Sequence, residues 1–450
     1  MRVKIYRGSH EIGGSCIEVT TSTNRIILDV GMPLNYDELN DTEQKNIDDE
    51  AERWCEGADA IFISHYHADH TGLLKHIDKN IPVYLSEGTL AAVSVPGKHL
   101  SERLRLNNNF ITFKSYDKSN PDRSVTVGSI KVTPYTVDHS AFDACALLVE
   151  ADGKQLLYSG DIRISGRKRG LYKCLPKNID CLLLEGTNIR KEEDHSVKTC
   201  DVGDLHFAKC VRRYYFENEV ESELCNLFSG SNKLHYIWAS ALDIDRIVTI
   251  YQACVKTQKT LYIDLYTAAV LRDINEVRNT IPSAETYKNI KVYIPRSYVY
   301  YAGANPAAKK FWNENIAELR QSDVEYFRNA KSVVSKNHLV NNYGSAVVLV
   351  RPKLLSDILK YLKVPSSDFI WSVWLGYRDK NKALVKWLND NQIPLYFAHT
   401  SGHADVESLQ KIVKSVSPKA IIPVHTEAPE KFEKVFKGYK ILQEADSYDV

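Results

Sequence analysis

Residues 1–190 are built from short apolar runs broken by turn residues. Val3–Tyr6, Cys16–Thr20, Arg25–Val30, Ala60–Ser64, Lys131–Tyr135, Ala146–Glu150 and Gln155–Ser159 are β-branched or apolar stretches bounded by Gly, Asn, Asp or Pro, the pattern of strands. Helical periodicity interrupts them only around Asp41–Cys55 and Thr71–Lys75. From about residue 200 the rhythm changes. Helical and strand-like segments alternate through Val202–Asn218, His235–Trp238, Ala241–Thr257, Thr260–Ile263, Ser345–Val350, Lys353–Lys363 and Phe369–Trp371, which predicts a βα-type unit with a largely parallel sheet. Compact pieces return at Leu395–Phe397, Asp405–Val416 and Ala420–Val424. No internal repeat or Gly/Ser-rich linker separates these regions, so the middle reads as an insertion within one domain.

Length and composition narrow the class. A chain of 450 residues implies two or three packed units. With 58 Lys and Arg against 57 Asp and Glu, the net charge of +1 excludes an acidic tail protein and a basic nucleic-acid coat, and leaves room for a local basic groove. No run approaches the roughly 18 apolar residues that would cross a bilayer, and the start lacks the charged and apolar regions of a signal peptide. Nine cysteines, an odd number without a C-x-x-C pair, read as reduced thiols. A soluble, cytoplasmic protein without a membrane partner is expected.

The most informative segment is Ile61-Phe62-Ile63-Ser64-His65-Tyr66-His67-Ala68-Asp69-His70. An apolar strand ends at Ser64, and three histidines and an aspartate follow. In extended backbone, residues two apart point the same way, so His65 and His67 can grip one metal. Asp69 and His70 lie where the next helix begins, point elsewhere, and can hold a second. Imidazole with carboxylate suits zinc, with manganese the alternative where oxygens dominate.

This H-x-H-x-D-H run resembles the signature of the metallo-β-lactamase fold. The resemblance implies a further His and a bridging Asp, each at a strand end. His139, after the Lys131–Tyr135 strand, and Asp161, after Gln155–Ser159, occur in the expected order. Asp29, ending Ile26-Ile27-Leu28-Asp29-Val30-Gly31, matches a supporting aspartate; a hydrogen bond to a metal ligand and a plain turn role are both open.

Small-molecule hydrolases of this fold take their last ligand soon after the bridging aspartate, where His195, His206 and His235 stand. None of these ends a convincing strand. Farther on, Ala420–Val424 is an apolar strand with His425 at its tip. Upstream, Phe397-Ala398-His399-Thr400-Ser401-Gly402-His403-Ala404-Asp405 is a strand, a turn and a helix start, which offers hydroxyls, N–H groups and a helix dipole to an anion. By contrast, Ser240-Ala241-Leu242-Asp243 reads as an ordinary helix cap.

The arrangement resembles the β-CASP branch of the fold, the RNA- and DNA-processing nucleases that include RNase J. Glu185 matches its acidic motif, and His403 and His425 match the two histidine motifs that follow the cap. The resemblance implies an α/β, αββα metallo-β-lactamase sandwich with an inserted α/β β-CASP cap: residues 1–204 as the first part of the core, 205–388 as the cap and 389–450 as the end of the core. It implies a ribonuclease, exo- or endonucleolytic, in which two divalent metals (zinc, or manganese) hold a bridging hydroxide in a cleft between core and cap. Asp161 would bridge the metals; His65, His67 and His139 would hold one, and Asp69, His70 and His425 the other. His403, oriented by Glu185, would bind phosphate or protonate the leaving oxygen. Glu185 also reads as a purely structural carboxylate.

Ser401, Gly402 and His403 are candidate phosphate contacts. So are Arg163 and Arg167 in the basic run that continues through Lys168, Arg169 and Lys173, unless that run is only a solvated loop. Tyr298-Val299-Tyr300-Tyr301 would stack on bases or pack the cap. The expected partner is RNA, with single-stranded DNA and a second copy of the chain as further candidates. The competing reading is a hydrolase of a small ester, lactone or thioester with a final ligand other than His425.

Overall fold

Every-other-residue burial explains the first unit of the fold. In the computed structural model, which describes residues 1–94, 109–115, 123–190, 216–293, 326, 330–351, 362, 364–442 and 447–450, this unit comprises Met1–Ser94, Leu100–Glu193 and Gly402–Val450. It holds two seven-stranded sheets. The first runs, in spatial order, Ser447–Asp449, Arg2–Arg7, Cys16–Thr20, Arg25–Leu28, Ala60–Phe62, Val83–Ser86 and Phe110–Phe113. The second runs Lys440–Ile441, Ala420–Val424, Cys181–Glu185, Lys154–Tyr158, Cys145–Ala151, Ile130–Thr136 and Val125–Val127. Alternate residues of both sheets (Ile17 and Val19, Ile26 and Leu28, Leu147 and Val149, Leu156 and Tyr158) meet in one apolar layer, which makes the pair a sandwich. The helices Asp41–Cys55 and Val406–Val416 bury one stripe each: Ala51 with Cys55, and Leu409, Ile412, Val413 and Val416.

One half of each sheet is parallel. Arg25–Leu28 pairs in parallel with Ala60–Phe62, and Cys181–Glu185 pairs in parallel with both Lys154–Tyr158 and Ala420–Val424. Parallel strands end on the same side, so the loops after residues 28, 62, 158, 185 and 424 gather at one rim. That rim carries the chemistry.

The second unit takes the intervening chain, with Asp194–Ser401 as its main segment. Among the described residues it holds one sheet, parallel throughout, ordered Val333–Val334, Ile290–Tyr293, Thr260–Ile263, Ala346–Val350, Leu234–Trp238, Ser367–Trp371 and Leu395–Phe397. Helices Ile244–Lys256 and Leu265–Val277 follow their strands, and the central strands are buried on both faces, as parallel sheets require. Asp243 caps the first of these helices by accepting the N–H of Arg246.

Two expectations shift, and others fall outside the described residues. The return to the first unit, expected at residue 389, falls at Gly402, because Leu395–Phe397 hydrogen-bonds to Ser367–Trp371 as an edge strand of the second sheet. The other expected boundary, 204/205, lies outside the described residues, as do Tyr298–Tyr301 and most of the helices expected over Val202–Asn218 and Lys353–Lys363. The helix expected over Thr71–Lys75 splits into a turn at Ala68–Thr71 and a tighter one at Leu74–His76. Among the described residues, no helix is long and apolar enough to cross a membrane.

Candidate metal centre

The loop Ser64–His70 is pinned on both sides by backbone hydrogen bonds. Val30 N–H donates to the His70 carbonyl at 2.9 Å, Met32 N–H to that of Ala68 at 3.0 Å, and Ser15 N–H to that of Asp69 at 3.0 Å. Gly31 permits this approach: a Cβ there would sit 1.8 Å from the Asp69 carbonyl oxygen.

His65, His67, His139 and Asp161 form one group of donors, and Asp69, His70, Asp161 and His425 a second, with the donor atoms of each within 4.8 Å of one another. In the first, His65 Nε2 and His139 Nε2 lie 3.1 and 3.2 Å from His67 Nδ1, and 3.6 and 3.8 Å from Asp161 Oδ2. Tetrahedral zinc with bonds of about 2.0–2.1 Å sets neighbouring ligand atoms roughly 3.3 Å apart. In the second, His425 Nε2 lies 3.1 Å from Asp69 Oδ2, and His70 Nε2 lies 3.3 Å from Asp161 Oδ2. Both Asp161 oxygens and His70 Nε2 are buried without a hydrogen-bond partner. A bare carboxylate in that position is costly, and a cation relieves it. The residues fit the metals.

The outward nitrogens are fixed from behind. His70 Nδ1 donates to Asp29 Oδ2 at 2.7 Å, and the hydroxyl of Tyr158 donates to the same oxygen at 2.8 Å. Ser64 donates to Asp29 through both its N–H and its hydroxyl, each at 2.7 Å, and its Oγ lies 3.1 Å from His65 Nδ1. His139 Nδ1 donates to the Gly402 carbonyl at 2.7 Å, and His425 Nδ1 lies 2.8 Å from Thr187 Oγ1. The Asp29 carboxylate and the Gly402 carbonyl can only accept, so they fix the donor nitrogens of His70 and His139, while the hydroxyls of Ser64 and Thr187 hold the rings of His65 and His425 in orientation. Asp29 and His425 hold left-handed φ values of 58° and 51°, a cost that polar side chains at functional turns tolerate best.

The electrostatics divide the histidines. Burial holds His65 and His139 well below the usual imidazole range and His67 down at about 4, so all three are neutral and ready to bind metal. Burial also opposes charge on His70, but Asp161, Asp69 and Asp29 outweigh it and raise its pKa. Burial works against ionised Asp161 and Asp69 too; the imidazoles of His425 and His70 overcome it and hold both carboxyls down.

His403 stands beside this centre. Its Nδ1 lies 3.2 Å from Glu185 Oε1 and 3.8 Å from Asp161 Oδ2, and these carboxylates, against the pull of burial, push it up to about 9. Glu185 also accepts the Ile162 N–H at 3.0 Å and the Thr187 N–H at 3.2 Å, which ties the turn after Asp161 to its own strand end. The helix beyond His403 is capped by Asp405, which accepts the Ser408 N–H at 2.8 Å. A carboxylate therefore holds the helix start expected to greet an anion.

One candidate is overturned. Arg163 is buried, not offered to a phosphate: its guanidinium pairs with Asp138, its N–H donates to the Asp138 carbonyl at 2.7 Å, and Asp138 also takes the Gly166 N–H. Arg167 is exposed on the same loop, as is Ser401 at its turn. His235 lies in the second unit's sheet, bonded through Nδ1 to Asp368 at 2.8 Å, so it is no ligand of this centre; His195 and His206 lie outside the described residues. Thr187 and Tyr158 escaped the sequence reading. A polar residue two positions after Glu185 is the one signal that marks Thr187, and Tyr158 reads only as a strand residue.

The fold is shared with known proteins. A crystal structure of a protein of unknown function from Enterococcus faecalis V583 superposes with a TM-score of 0.71 at 20% identity, covering 99% of both chains. The family model described as a β-lactamase superfamily domain matches residues 42–212, and one described as a Zn-dependent metallo-hydrolase RNA specificity domain matches 395–440, the stretch with His403 and His425. An RNase J-like protein of Methanocaldococcus jannaschii is 29% identical over 98% of this chain and 96% of its own. These matches support a metallo-β-lactamase-fold, RNase J-like protein of the β-CASP kind. Ribonuclease J of Mycoplasma genitalium is 21% identical over 95% of this chain and 68% of its own, and that of Helicobacter pylori strain 26695 is 22% identical over 93% and 55%. The match to a family described as Zn-dependent and the convergent His and Asp donors support the use of divalent metal.

Proposed function

We propose that the chain is a ribonuclease that hydrolyses phosphodiester bonds with two divalent metals, zinc in preference to manganese. The observation that carries this reading is one buried, hydrogen-bond-starved carboxylate, Asp161, shared by two complete donor sets with His403 at its edge. His65, His67, His139 and Asp161 would hold one metal; Asp69, His70, His425 and Asp161 the other. Bound there, the metals supply Lewis acidity for water and for phosphate charge.

The chain's own residues do the rest. Asp29, Thr187 and the Gly402 carbonyl hold the imidazoles in register. His403, charged between Glu185 and Asp161, presents a proton to a phosphate oxygen or to the leaving oxygen. The exposed Ser401, with Gly402 and Arg167, would bind neighbouring phosphates. RNA is the favoured polymer because ribonucleases are the relatives and an RNA specificity description covers the His403 and His425 segment. Single-stranded DNA is the competing substrate.

The test is cleavage of end-labelled single-stranded RNA and the matching DNA by metal-loaded protein, with Asp161→Ala as control. Metal-dependent RNA products absent from the variant are expected, and their lengths separate exo- from endonuclease action. No cleavage of either polymer by protein with metal bound would overturn the reading.

A further inference from the structure

We propose that Trp374 and Tyr377, in the second unit, form a stacking platform for the bases of single-stranded RNA. The proposal rests on the ribonuclease reading above and extends it to a second, non-catalytic contact. Trp374 is 55% exposed and Tyr377 46%, which is unusual for side chains of this size. They are also neighbours, with ring centroids 5.7 Å apart at 83°.

The pair is held in place. A Cβ on Gly376 would lie 2.1 Å from the Trp374 ring, so the indole is seated directly against the glycine. The Tyr377 ring lies 6.4 Å from that of buried Trp238, which in turn packs 4.4 Å from Trp371. An exposed aromatic that is already ordered loses little freedom when a base stacks on it.

The location fits a ligand as well. Trp238 and Trp371 end two adjacent parallel strands in register, and Ser372-Val373-Trp374 leaves directly from the second. Ligands of open parallel sheets bind beyond these carboxyl ends.

Charge selects the partner. From Trp374 to the end of the helix Lys382–Asp390 the sequence carries four cations, Arg378, Lys380, Lys382 and Lys386, and two acids, Asp379 and Asp390, the latter paired with Lys386 at 3.0 Å, which leaves a net positive charge. Aromatic rings set among lysines and arginines match a polymer of flat bases on a phosphate chain.

The test measures binding of a fluorescent 20-nucleotide single-stranded RNA to the full chain in chelator, which blocks hydrolysis, for wild type, Trp374→Ala, Tyr377→Ala and Trp374→Phe. An abasic oligomer of equal length is the second ligand. Loss of one stacked base weakens binding about tenfold or more. Trp374→Ala should therefore lose about that much affinity for RNA and none for the abasic strand. Trp374→Phe should keep most of it, and hydrolysis of bis(p-nitrophenyl) phosphate by metal-loaded protein should be unchanged. RNA affinity equal in wild type and Trp374→Ala would overturn the platform while leaving the ribonuclease reading intact. No RNA binding by wild type would overturn both. A wild-type dimer that Trp374→Ala converts to a monomer would make the patch a self-association surface instead.

Discussion

Both units bury charged and polar groups, but among the described residues only the first brings several unpartnered donors together at one point. In the second unit, buried Arg246 is clamped by Glu217 at 2.6 and 3.1 Å and donates to Ser372 through the same guanidinium. Lys259 reaches the carbonyls of Ser231 and Gly344, both at 2.6 Å; His235 is bonded to Asp368 through Nδ1, and its buried Nε2 has no partner and no third metal donor beside it among the described residues. In the first unit, Asp161 and His70 Nε2 are buried with no hydrogen bond, ringed by inward-facing nitrogens. Burial of charge is thus uninformative by itself. What marks a metal centre is convergent donors whose only shared partner can be a cation; a fully partnered buried ion marks architecture.

The contrast can be broken by substitution, taken from the largest effect down. Asp161→Ala should lower metal-dependent cleavage by about three orders of magnitude or more, with metal content falling and the thermal transition of the metal-free protein retained. Arg246→Ala should do the reverse. It leaves Glu217 buried and unpaired, which costs about 3–5 kcal/mol in a urea titration, while metal bound per folded chain stays constant. Asp29→Asn removes the carboxylate behind His70, and metal affinity measured by competition with a chelator should fall about 10–100-fold. His235→Asn should cost about 1–3 kcal/mol of stability and leave metal content untouched. If it depleted metal, the division between the two kinds of buried charge would fail.

Much of the centre was legible because its residues follow strands at short, typed spacings. His65 to His70 occupy one loop, and His139, Asp161 and His425 each stand just past a strand that its β-branched or apolar run predicts. Strands Cys16–Thr20, Thr260–Ile263, Leu395–Phe397 and Ala420–Val424 and helix Asp41–Cys55 have the predicted bounds. Direction and partnership were less legible. Arg163 sits in a basic run and looks solvated, yet the turn after Asp161 bridges back to Asp138 and draws it inside. The end of the inserted unit, expected at residue 388, falls at Ser401, because an edge strand of one sheet looks no different in sequence from a strand of another. The strand Val83–Ser86 is too short to show a period, and the first seven residues of the helix Leu265–Val277 are buried all round, so neither is legible in the sequence. Thr187 and Tyr158 act on residues 129 to 238 positions away, which no local pattern reveals.

The central claim is that the far end of the chain completes a two-metal centre begun at residue 65. Metal stoichiometry of purified wild-type protein and His425→Ala, by inductively coupled plasma mass spectrometry with zinc and manganese supplied in turn, tests it most directly. Two ions per wild-type chain and one in the variant are predicted. One ion in the wild type, or two retained in His425→Ala, would contradict it.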